Sequence, residues 1–272
     1  MNGKVFFAGV LILSMTAGSG AQSRGGLPQP PLPLPQSGSP PNRGSGPTAP
    51  GPLPSYPVEK IGENLFRLGS IRVDTAKREV TVPGVVNESR TLEFIASTKN
   101  GFKGYESALE LDTNAVTFNI AMILIGMDKD HAVPPTRHFD PKIPEGDPLE
   151  IWVEWKIGAE TRRIPVTDLL WDRAKKEKFP NAPWIYIGGD FSPDGKYMSE
   201  TDGVLIGFVH DPASIIEWAG ANGVGRFGFV EIDPSLKLPA RMPVTVIIKS
   251  AVPTPPAPSA TNSKQPAPPR GK

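Results

Sequence analysis

Between residues 149 and 157 apolar and polar side chains alternate. Leu149, Ile151, Val153, Trp155 and Ile157 fall on one side and Glu150, Glu154 and Lys156 on the other, with Trp152 the exception. A period of two is that of a half-buried β-strand. Shorter β-prone stretches cover 78–82, 85–86 after a Pro83-Gly84 break, 91–96, 162–166, 184–187, 204–210, 227–232 and 244–249. Gly158-Ala159 predicts a turn from 149–157 into 162–166. Asn100-Gly101 predicts a hairpin turn after the 91–96 strand.

One segment breaks this period. From Thr113 to Gly126 the chain carries Val116, Phe118, Ile120, Met122, Ile123, Leu124 and Ile125 with almost no polar face. This predicts a helix capped by Asp112 or Thr113, ended by Gly126 and buried on most sides. Shorter helices are predicted at 166–173 and 212–218, the second with Asp211 as its cap and Pro212 in its first turn. Strands around one apolar helix, without regular βαβ alternation, give an α+β, strand-rich expectation: mostly antiparallel sheets packed around one buried helix near 113–126.

Proline sets the limits of this domain. Of 33 prolines, 12 lie in residues 24–57 and 7 in residues 251–272, among Gly, Ser, Ala and Gln. Such flanks bury little and are expected to be disordered or extended. Lys4, the apolar run from Val5 to Met15 and the small residues up to Ser23 read as a secretory signal over 1–23, cleaved after Ala21 or Ser23. The division expected is signal 1–23, linker 24–57, globular domain 58–250 and tail 251–272. It places the chain outside the cytoplasm, periplasmic or at the cell surface, with no membrane span once the signal is cut. The absence of cysteine excludes lipid attachment, disulfides, thiolate metal sites and an iron–sulfur cluster on cysteine ligands, and no cofactor is expected. Basic and acidic residues balance, 29 to 28. Without a basic stripe nucleic acid is not an expected partner; an envelope component or another protein is.

The segment Lys103-Gly104-Tyr105-Glu106-Ser107, running into a strand-like stretch and then the apolar helix, resembles the central signature of the YdjY-domain family, exported bacterial proteins without an established biochemical function. The likeness continues through GSIRVDTAKREVTVPGVVN, EIWVEWKIGAETRRIPVTDLLWD and GGDFSPDGKYMSETDGVLIGFVHDPASII, most of residues 65–250 in family order. The family commonly has a histidine where this chain has Tyr105, so a role that needs an imidazole there is not met by that residue.

Candidate chemistry gathers at a few places. Lys103, Tyr105 and Glu106 are candidates for ligand contact. Glu106 reads either as acid, base or ligand in a cleft, or as a buried carboxylate pinning strand to helix, which then needs a partner. Ser107 and His210 complete a Ser/His/acid set on paper, though no nucleophile-elbow pattern surrounds Ser107. His131, His138 and Asp140 lie with Asp128 and Asp130 in a Pro-rich loop; histidine and carboxylate side chains suit zinc, but the spacing of the two histidines fits no regular ligand pattern on a helix, and a solvated loop is the default reading. Asp190, Ser192 and Asp194 before Gly195 copy the first half of a calcium loop, but the glutamate expected at its twelfth position is absent; a β-turn over 192–195 competes with that reading. The leading expectation is a non-catalytic binding or scaffolding module. The alternatives are a periplasmic hydrolase using Glu106 with His210, and a calcium-binding protein using the 190–195 loop.

Overall fold

The computed structural model describes residues 56–89, 91–221 and 228–253. In chain order these form β1 Glu59–Lys60, β2 Leu65–Leu68, β3 Ile71–Asp74, β4 Glu79–Val86, β5 Phe94–Thr98, β6 Ser107–Leu111, α1 Ala115–Leu124, β7 Asp147–Ile157, β8 Glu160–Pro165 and β9 Leu170–Asp172. They continue with β10 Glu177–Lys178, β11 Trp184–Tyr186, α2 Met198–Asp202, β12 Val204–Gly207, β13 Ile216–Trp218, β14 Val230–Ile232 and β15 Pro243–Ser250. The expected signal lies outside the described residues, and the Pro-rich flanks almost wholly so.

Eight strands close on themselves in the order β4-β15-β7-β11-β13-β12-β5-β6, with β6 returning to β4. The expectation of antiparallel sheets packed around a helix is therefore corrected: the domain is a closed, mixed β-barrel. Two of its pairs, β5 with β6 and β12 with β13, are parallel. Residues that pair across the ladders share a side of the wall. Val80, Ile248 and Ile151 form one such row, and Val82, Val246 and Val153 the next. Trp184, Leu149 and Trp218, and Ala96 with Leu109, continue the ring. All of these are buried, so the lumen is filled by side chains in the manner of a small barrel.

The helix lies at one end of this barrel. There α1 follows directly on β6, its C-terminal carbonyls Ile125 O and Gly126 O accept from the Arg78 guanidinium at the start of β4, and Asn119 accepts from the Tyr186 hydroxyl at the end of β11. Its cap is Asn114, whose side chain accepts from Thr117 N at 2.7 Å, in place of Asp112 or Thr113. The Glu200 carboxylate from α2 accepts from Ala115 N and Val116 N, which satisfies two more free donors of the first turn. Val116 and Ile123 point to solvent, so the helix is a lid with a dry underside. The small antiparallel sheet β10-β9-β14 lies beside the residues leading into β5, where Leu92 N donates to Val230 O. Phe179 packs edge-on against Phe208 and Trp218 there.

Several local expectations change. Pro83-Gly84 does not break its strand; β4 runs through it, and at Gly84 the backbone pairs with Leu111 to close the barrel. Residues 166–169 form one 3-10 turn before β9. No helix follows Asp211, which makes a local turn by accepting from Ala213 N, and 216–218 is a strand. Asn100 takes the left-handed conformation with φ 57°, as a turn residue can, but the chain then leads to a parallel partner and no hairpin forms. The Gly158-Ala159 turn and the β7–β8 hairpin stand as expected.

Candidate functional site

A parallel pair requires the chain to travel back along the outside of the sheet. Residues 99–106 and 208–215 are such crossovers, short ones, and the chemistry of the domain collects on them. The first ends in a 3-10 turn, Phe102–Glu106. Asn87 Nδ2 donates to Gly104 O and Ser107 O, and Ser89 Oγ donates to Gly104 O, which fastens this turn to the barrel.

In this turn residues three apart share a face, so Lys103 and Glu106 turn toward the barrel while Phe102 and Tyr105 turn to solvent. Glu106 is buried, 4% exposed. Its Oε1 lies 3.0 Å from Lys103 Nζ. It also faces Glu93, the residue just before β5, which is equally buried. Burial pushes the Glu93 carboxyl up, against the pull of His138, and the neighbouring Glu106 pushes it further. Burial acts on Glu106 the same way, but hydrogen bonds from Glu93, Tyr105 and Lys103 outweigh it and leave Glu106 below the usual carboxylate range. When this pair holds one proton, the proton therefore sits on Glu93 and the charge on Glu106. His138 extends the chain of contacts. Its Nε2 is 3.2 Å from Glu93 Oε2 and its Nδ1 is 2.5 Å from Asp211 Oδ2. Asp211 first, and Glu93 second, raise the His138 imidazole to about 9, so it is cationic at neutral pH.

The result is a line of groups in which Lys103 faces Glu106, Glu106 abuts Glu93, and His138 stands between Glu93 and Asp211. It joins the first crossover, the start of β5, the 128–146 connection and the second crossover. Beneath the second crossover Glu217 is wholly buried and accepts from His210 N and Asp211 N at 3.2 and 3.0 Å. Burial pushes its carboxyl up to about 8.

On the solvent side the same turn exposes Phe102 and Tyr105, 70% and 59% accessible. Their rings stand edge to face with centroids 6.1 Å apart. The Lys103 ammonium lies 5.7 Å from the Tyr105 ring centre.

The structure thus gathers Lys103, Tyr105, Glu106 and Ser107 at one place. Ser107 is fully buried and its hydroxyl donates to Lys103 O at 2.9 Å. His210 turns elsewhere: its Nδ1 lies 2.8 Å from Asp140 O, and among the described residues no hydrogen bond joins it to Ser107 or Glu106. Asp190, Ser192 and Asp194 sit on a turn in which Gly195 N donates to Ser192 O. Ser192 Oγ donates to Asp194, whose carboxylate also meets Lys196 Nζ at 2.7 Å, and Lys129 lies 3.7 Å from Asp190. Among the described residues no group of three or more His, Asp or Glu side chains is arranged to hold a metal ion.

Sequence reasoning missed Glu93, and it read His138 as part of a solvated loop or a zinc ligand without its two carboxylate partners. A lone glutamate inside the β-prone 91–96 stretch was the available signal for the first. His138 carries no such signal, because its partners come from positions far away in the chain.

A closed mixed barrel with two short parallel crossovers and a partly buried charge line between them is the class of domain that results. The chain matches the YdjY domain over residues 71–249 and belongs to that family. Neither among curated proteins nor among solved structures does it find a match.

Proposed function

We propose that this chain is an exported, envelope-associated binding module that contacts a partner through its first crossover and catalyses nothing. The observation that carries this reading is the Phe102–Tyr105 pair: two large rings held out in solvent on a turn whose opposite side is pinned by a buried ion pair. Aromatic side chains presented rigidly lose little conformational freedom on contact, which is why they dominate binding surfaces. The charge line behind them is internally matched and serves as their support. A hydrolase built on Glu106 and His210 would need both side chains to converge on a substrate position, and their hydrogen bonds point to different neighbours. Asp190 and Asp194 already pair with Lys129 and Lys196, cations that compete with a calcium ion for these carboxylates.

Export follows from the apolar run 5–15 and the small residues before Arg24. N-terminal sequencing of the mature protein is expected to begin between Ala21 and Arg24; a chain beginning at Met1 in the membrane fraction would mean an uncleaved anchor. Binding is tested by capture from solubilised envelope fractions with the wild-type protein and with the Phe102→Ala/Tyr105→Ala variant. A partner retained by the first and lost by the second, with unchanged melting of the variant, supports the reading. Equal capture by both would refute the assignment to this crossover.

A further inference from the structure

The chain has three histidines, and all three fasten one segment. The connection 128–146 runs from α1 to β7 with little regular structure of its own: a 3-10 turn at Lys129–His131 and a single bridge between Val133 and Glu145. At its first end His131 Nδ1 lies 2.8 Å from Asp147 Oδ1, and Asp128 N donates to the other oxygen of the same carboxylate. At its middle His138 reaches Asp211 and Glu93. The third tie runs the opposite way: His210, on the second crossover, meets Asp140 O of the connection. The contact is reciprocal, His138 and Asp140 on one side, Asp211 and His210 on the other. His210 sits in the left-handed region, φ 61°, and its Nε2 is buried without a partner. A bulky residue in that conformation persists only where its surroundings hold it.

We propose that residues 128–146 are a strap over the barrel wall, tied by histidine in acidic and neutral solution and released as the solution becomes alkaline. The groups that face the ties fix the sign. Around His131 stand Asp147, Asp128 and Asp130, and the hydrogen bond to Asp147, followed by its charge, raises the imidazole above its ordinary value. Around His138 stand Asp211 and Glu93, with Glu106 and Lys103 behind Glu93, and the Phe139 ring on one side. Asp202 faces Asp211 and Lys103 from α2. Glu217 lies under the crossover that carries Asp211. A histidine whose folded value is raised contributes its full grip below the ordinary 6.5. It loses that grip as pH climbs through the folded value, about 9 for His138. His138 is partly open to solvent, 37% for its side chain, so its proton exchanges without unfolding of the barrel. Lys129 Nζ on Gly189 O keeps the strap attached near its first end while the histidine ties change, and Thr136 N and Lys142 N, both donating to Asp140, hold the shape of its middle.

The test is amide hydrogen exchange by mass spectrometry on the full chain, corrected for the intrinsic pH dependence of exchange. Peptides from 128–146 and 208–215 are compared with β7 and β15 as internal references. Between pH 6 and pH 9.5 the opening of the strap relative to β15 is expected to rise about tenfold or more, the scale of losing one charge-assisted hydrogen bond. His138→Gln is expected to open the strap already at pH 6. His131→Gln together with His138→Gln is expected to flatten the pH response. Strap and barrel protection that stay in constant ratio from pH 6 to 9.5 would overturn the proposal. So would a His138→Gln strap as protected at pH 6 as the wild type. If the double variant does not fold, the wild-type pH series decides alone.

Discussion

Glu106 is the residue on which structural and site readings of the first crossover part most sharply. Its carboxylate has lost nearly all contact with water and keeps Lys103 at 3.0 Å, with Glu93 on its other side. Breaking a fully buried ion pair by removing one partner costs about 3–5 kcal/mol, whereas an exposed pair is worth about 0–1 kcal/mol. Lys103 retains 22% side-chain exposure, so an intermediate cost of about 2–3 kcal/mol applies to Glu106→Ala, within the range for leaving a buried charged donor unmatched. For a domain of this size 1 kcal/mol moves the melting temperature by about 2–4 °C, which predicts a fall of about 4–12 °C. Glu106→Gln keeps the shape and one acceptor for Lys103, and a loss of about 1–2 kcal/mol, or about 2–8 °C, is expected. Calorimetry at pH 7 decides it, with Lys103→Met and the Lys103→Met/Glu106→Gln double variant closing a cycle whose coupling isolates the pair. A Glu106→Ala protein as stable as the wild type would refute the reasoning. Glu106 would then be a destabilised group of the kind that sites tolerate, and the crossover would have to be reconsidered as a reactive cleft.

Glu217, raised from about 4.5 to about 8 by burial, contributes stability that is full below 4.5 and lost as pH rises through 8. The melting temperature should fall between pH 5 and pH 9, and Glu217→Gln should flatten that fall; an unchanged slope would remove Glu217 as its source. At Gly84 an added Cβ would stand 2.5 Å from Glu110 O, a backbone atom, so Gly84→Ala is expected to cost about 1–3 kcal/mol in urea unfolding, and an unmoved midpoint would show that the β4–β6 seam yields freely. A chain trimmed to residues 56–253 is expected to melt at the temperature of the full chain, because the described ends are already held by Tyr56 N on Thr117 and by Arg78 on Val252 O; a loss of many degrees would mean that a flank contributes to the core.

The strands were legible wherever one face of the wall meets water. The alternation from 149 to 157 predicts β7 almost to the residue, because β7 has a solvated outer side that demands Glu150, Glu154 and Lys156. β5 and β12 are covered on both sides, and their five and four residues are all buried. Their sequence therefore marks a strand without saying which way it faces or what it pairs with. Closure was not legible for a related reason. It rests on a ladder of three pairs, Gly84 with Leu111, Val85 with Glu110 and Val86 with Leu109, and Pro83-Gly84 in isolation reads as a strand breaker. Glycine there allows the close approach of β6, and proline is tolerated where the wall bends into the seam.

The apolar helix misled for a physical reason that also explains the site. A segment with so little polar face is ordinarily surrounded by protein, which suggests a centre with sheets around it. Here the centre is filled instead by the inward rows of the strands, and the helix packs against β3, β12 and α2, leaving Val116 and Ile123 outside. The inward rows take the place that a central helix would have occupied, and the charge line from Lys103 to Asp211 lies along the outside of the wall. Its groups collect where the two parallel pairs compel the chain to double back, and so Lys103 to Glu106 and His210 to Asp211 become neighbours of one system without touching each other directly. Local patterning identified the first of these segments because its charged and aromatic residues lie together in sequence. It could not place His138, whose meaning comes from Glu93 and Asp211, each dozens of residues away. A histidine in a proline-rich loop reads as solvated until something brings two carboxylates to it, and in this chain the parallel crossovers do so.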